Sequence, residues 1–111
     1  PGGLYLTEPA AAASSDGPTR EQLHPGHRPA TYAALAAKYT EVQFMRASSV
    51  ALEQAIELRP DVGDWYRRLG VAYKAMRQHD AALAAYHTSL RLEALEERLI
   101  YEKWVHRAQR R

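Results

Sequence analysis

The chain of 111 residues fits one small domain, or a piece of something longer, as the missing initial methionine suggests. Of its 46% hydrophobic residues, 20 are alanine, a composition suited to closely approaching helices rather than a thick core, and a net charge of +2 is too weak to point to nucleic acid by itself. Zero cysteines exclude a disulfide framework, zinc ribbons and a thiol nucleophile; no apolar run approaches the ~18 residues of a membrane span, and no signal-peptide pattern opens the chain, so a cytoplasmic setting is expected.

Residues 1–28 hold four of the six glycines and four of the six prolines, which makes them an arm or linker. Within it only Ala10–Ala13 has helical propensity, and Leu4, Tyr5 and Leu6 form the one apolar cluster, expected to dock on the repeats. From residue 29 the character changes to Ala, Leu, Arg and Glu, all good helix formers. Pro29 suits a first helical turn, where a missing N–H costs nothing. Pro60 and Asp61 end one helical stretch and prepare the next.

Shifted by 34 residues, the chain lands on itself. Tyr32 falls on Tyr66, Leu35 on Leu69, Ala36 on Gly70, Tyr39 on Tyr73, Ala51 on Ala85, Leu52 on Tyr86 and Leu58 on Leu92. Within each unit the apolar positions recur three, four and seven apart, the mark of one helix face, and each unit holds two such runs. The spacing predicts an all-α fold of two antiparallel helical hairpins at about 30–59 and 62–93, stacked as a repeat array. Tyr32, Leu35, Tyr39, Leu52, Ile56, Leu69, Tyr73, Leu83, Tyr86 and Leu90 are expected to be mostly buried, with Gly70 at a helix crossing.

The second unit reads Tyr66-x₂-Leu69-Gly70-x₂-Tyr73 and then Ala82-x₃-Tyr86; the first reads Tyr32-x₂-Leu35-Ala36-x₂-Tyr39, then Ser48-x₃-Leu52 and Pro60. This pattern resembles the tetratricopeptide repeat family. The resemblance covers about 29–110 and implies a right-handed α-solenoid with repeat 1 at 29–62, repeat 2 at 63–96 and a terminal helix at 97–111. The second unit lacks the closing proline, so the last segment has two readings. It turns near residues 93–96 and folds back as a cap, or the second hairpin's last helix runs unbroken to about 110. The need to cap a stack favours the turn.

Chemistry is sparse. His24 and His27 offer an H-x₂-H spacing, but in flexible sequence without a third ligand, and His79, His87 and His106 lack acid–base partners. No glycine-rich phosphate loop sits between a strand and a helix. No catalysis, metal or cofactor is expected. The basic end of the chain, +3 over 97–111 from five basic and two acidic residues, reads as a solvated helix end before a nucleic-acid contact.

The resemblance implies a concave groove lined by the first helix of each hairpin and holding a peptide or partner helix. With the repeat's core positions turned inward, Asp64, Arg67, Val71 and Lys74 form a separate stripe with Arg68 beside it. The matching stripe of the first unit is Ala30, Ala33, Ala34, Ala37 and Thr40. Lys103 joins them if the chain turns near residue 95. The expected binding residues are therefore Ala33, Ala37, Asp64, Arg67, Arg68, Val71, Lys74 and Lys103, and the expected partner is an acidic protein or peptide. Alanines stand where carboxylate-clamping members of the family need polar groups, so that specificity is not carried over. The rival reading is an oligomerisation or spacer domain attached to a larger enzyme such as a transferase.

Overall fold

The computed structural model of the chain describes residues 17–110, and every regular element among them is helical. A single 3-10 turn at Arg20–Gln22 precedes four α-helices: α1, Pro29–Glu41; α2, Met45–Leu58; α3, Gly63–Ala75; and α4, His79–Gln109. Pro29 opens α1 as expected, and Pro60 lies in the break between α2 and α3. Each helix packs on its neighbours in sequence, α1 on α2, α2 on α3 and α3 on α4.

The 34-residue spacing recurs in the backbone. The α1–α2 turn places Gln43 at φ 66°, and the α3–α4 turn places Arg77, 34 positions on, at φ 65°. The N–H of Phe44 bonds to the carbonyl of Tyr39 at 2.8 Å, and that of Gln78 to the carbonyl of Tyr73 at 2.9 Å. These six-residue closures satisfy carbonyls that a helix end would otherwise leave without donors. Both helical hairpins are thus closed by the same turn.

The core is thin, as the alanine content implies. Ala36, Ala47, Ser48, Ala51, Leu52 and Ala55 are buried where α1 and α2 pack, and Leu69, Gly70, Ala82 and Ala85 where α3 and α4 pack, with Ala72 also buried on α3. Small side chains let helices approach closely, and the hydroxyl of Ser48 is satisfied by Thr40 at 2.8 Å. Gly70 marks a close crossing of α3 and α4. A Cβ built there would lie 2.7 Å from the Tyr86 ring. Trp65 is buried too, although the repeat spacing gave no reason to single it out.

Three expectations need correction. The chain does not turn at residues 93–96; α4 runs unbroken from His79 to Gln109, and residues 97–109, expected to form a separate terminal helix, are its outer part. Leu92 to Glu97 reads Leu-Glu-Ala-Leu-Glu-Glu, which contains no residue that ends a helix. Leu83 and Leu90 are 57% and 65% exposed, because Ala82, Ala85 and Ser89 take the face of α4 that meets α3. Without a fold-back cap, a cleft of about 300 Å³ stays open between α3 and α4, lined by Tyr66, Leu69, Tyr73, Ala81, Ala84, Ala85 and Thr88.

The last third of the arm docks. Gly17, at φ +76°, sits against Ala47 and Phe44; Arg46 donates to its carbonyl at 2.8 Å; and Leu23 is buried in the main core cluster. Arg20 pairs with Glu57 at 2.8 Å, and the Tyr32 hydroxyl donates to the His24 carbonyl at 2.9 Å. The Leu4–Leu6 cluster, expected to dock in the alanine-floored groove of these repeats or of a neighbouring copy, lies outside the described residues.

A candidate binding groove

Residues three and four apart on α1 and α3 line a second cleft between those two helices. It has a volume of about 250 Å³ and is lined by Ala37, Thr40, Arg67, Arg68 and Val71. Four of the eight expected binding residues therefore share one surface. Val71 and Ala37 provide its apolar floor, and the guanidinium groups of Arg67 and Arg68 its polar wall.

Asp64 organises that wall. One turn before the arginines, it accepts from Arg67 through Oδ1 and from Arg68 Nε through Oδ2, the latter at 3.1 Å. Burial raises the Asp64 carboxyl, but the bond and charge of Arg67 and the charge and bond of Arg68 outweigh it and hold it below the usual carboxylate range. A second donor of Arg68 reaches the Ala33 carbonyl on α1 at 3.4 Å, which joins the two helices across the groove. Two arginines and one aspartate leave this cluster at +1.

The remaining expected residues separate. Ala33 is buried in the core and contributes its carbonyl rather than its methyl group. Lys74 is exposed in the last turn of α3, outside the cleft lining. Lys103 does not face the groove at all, because α4 fails to turn back; it lines a surface on the outer half of α4 with Ile100, Trp104 and Arg107. His24 and His27 stack on one another at 4.8 Å, and His27 meets the Tyr32 ring edge-on at 5.4 Å.

The chain matches no family model, no curated protein and no solved structure. The groove must be read from its own chemistry.

Behind the groove one polar pair was not foreseen. The Tyr73 hydroxyl donates to the Glu53 carboxylate and ties α3 to α2. Burial pushes the phenol well above its ordinary value, and the bond to Glu53 and its negative charge add to that. Residues twenty apart on two helices carry no sequence signal of pairing. The Asp64 fork was legible, since a carboxylate three and four residues before two arginines is a familiar helical pairing. Among the described residues no helix is long and apolar enough to cross a membrane.

Proposed function

We propose that the chain is a non-catalytic protein-binding module of tetratricopeptide-like stacked hairpins, and that the α1–α3 groove takes an acidic peptide or partner helix. The observation that carries this reading is the cleft itself, an apolar floor of Ala37 and Val71 beside Arg67 and Arg68. The Asp64 fork supports it, because it pre-orients both guanidinium groups and leaves donors of each unused by the carboxylate. The solenoid arrangement is part of the proposal, supported by the matching hairpin turns at residues 42–44 and 76–78.

An acidic ligand would place carboxylates on the arginines and apolar side chains on Val71 and Ala37. Each well-made charged hydrogen bond contributes about 1 kcal/mol or somewhat more. The test is fluorescence anisotropy with a labelled peptide alternating glutamate and leucine, against a lysine–leucine control. Binding to the acidic peptide only, weakened by salt and reduced at least roughly tenfold in Arg67→Glu/Arg68→Glu, supports the proposal. Equal binding of both peptides, or an affinity indifferent to the double reversal, refutes it.

A further inference from the structure

Glu93 lies beside Gly63, the first residue of α3. Beyond that point α4 continues to Gln109 with Leu95, Leu99, Ile100, Tyr101 and Trp104 all at least half exposed. This outer half has its own order. Glu93, Glu97, Ile100, Trp104 and Arg107 are spaced four, three, four and three residues apart, which places them on one face of the helix. The stripe begins with two acids, carries an isoleucine and a tryptophan at its middle and ends with an arginine. Arg98 and Glu102 already pair with each other at 3.1 Å on the opposite face.

Reversed, this stripe complements itself. An antiparallel partner of identical sequence, centred at residue 102, sets Glu97 against Arg107 of the second copy and Ile100 against Trp104 of the second copy. The two-fold axis then repeats both contacts. A parallel arrangement would set Glu93 and Glu97 against their own equivalents and repel. We propose that residues 97–107 are a self-pairing surface whose partner is a second copy of this chain, joined antiparallel through the outer halves of two α4 helices.

The shape agrees. Ile100, Lys103, Trp104 and Arg107 line an almost wholly apolar depression of about 220 Å³, able to receive an isoleucine or an indole edge. Ile100 and Trp104 are 60% and 63% exposed, the degree of exposure expected of side chains that await a partner. The eleven residues 97–107, which pair about residue 102, span about 15 Å of helix. The area such a contact covers is under about 1,000 Å² in all, in the range of weak, transient interfaces. A contact of this size makes a weak dimer, with a dissociation constant on the order of micromolar or above.

The full chain is tested by sedimentation equilibrium from roughly 1 to 300 μM, with helicity checked by circular dichroism. Wild type should dimerise. Glu97→Arg alone and Arg107→Glu alone should each raise the dissociation constant by roughly tenfold or more. Mixing those two variants should restore dimers, and so should Glu97→Arg/Arg107→Glu in one chain. Because the chain has no cysteine, mild oxidation of an Ile100→Cys and Trp104→Cys mixture should give a disulfide-linked heterodimer. A wild type that stays monomeric throughout that range overturns the proposal. Dimers indifferent to the single reversals, or not restored by the double one, overturn it equally.

Discussion

Replacing Gly70 probes a close approach of α3 to α4. A Cβ at this position would lie 2.7, 2.8 and 3.0 Å from three atoms of the Tyr86 ring, inside the distance that carbon atoms tolerate. Leucine adds that Cβ and three more carbons. Its better helix propensity returns only about 0.8 kcal/mol. Against this, either the half-buried ring is displaced toward solvent or α3 and α4 part, and overpacking of this kind costs about 1–3 kcal/mol. Ring displacement adds loss of apolar contact of about 1.5 kcal/mol or more. Gly70→Leu should therefore lose about 2–3 kcal/mol, a drop of roughly 10 °C or more in the melting temperature of a domain this size. The first hairpin supplies the control, since Ala36 and Leu52 stand where the second has Gly70 and Tyr86. Gly70→Ala should destabilise by about 1 kcal/mol alone, and adding Tyr86→Leu should cost less than the separate effects predict. Urea and thermal unfolding followed at 222 nm measure both. Wild-type stability in Gly70→Leu, or strict additivity in the pair, would refute the crossing argument.

Three other outcomes are expected. Tyr73→Phe should cost about 1 kcal/mol near neutral pH by leaving Glu53 without its donor. Because the Tyr73 phenol is raised in the folded state, its contribution is fully present below about pH 10 and fades at more alkaline pH, so the variant's alkaline stability profile should be flatter than that of wild type. Asp64→Asn should flatten the acid limb instead, since a lowered carboxyl stabilises above its unfolded value and is lost as pH falls through its folded one; pH-dependent melting below pH 5 reads this. Gly17→Ala combines a strained φ of +76° with a Cβ 2.8 Å from that of Ala47, so it should release residues 17–23 and accelerate proteolysis at Arg20 without abolishing helicity.

The hairpins were legible because a helix crossing constrains residue size locally, and two crossings repeated at a fixed interval leave a matching pattern. Gly70 and Tyr73 could be placed on that ground alone. The exposure of Leu83 and Leu90 was missed, because an apolar residue one step from Ala82 or Ser89 turns about 100° away from the face that meets α3. The continuation of α4 was legible in Leu92–Glu97, which holds no helix-ending residue; the expected need for a cap overrode that local signal. The docking of Gly17 on Ala47 was not legible, since it joins residues thirty apart through shape alone. Four of the eight groove residues converge because α1 and α3 both pack on α2 and line one cleft between them, whereas Lys103 depended on a turn the chain does not make.

A helix half clamped and half free has two regimes of opening within one continuous hydrogen-bond ladder. From His79 to about Glu93, amides of α4 open only when α3 lets go, so their hydrogen exchange should follow the unfolding of the whole second hairpin. From Ala94 outward α4 is largely exposed among the described residues, and in the isolated monomer the exchange rate should climb turn by turn toward Gln109. The boundary should fall at the start of α3, where Gly63 meets Ser89, Leu92 and Glu93.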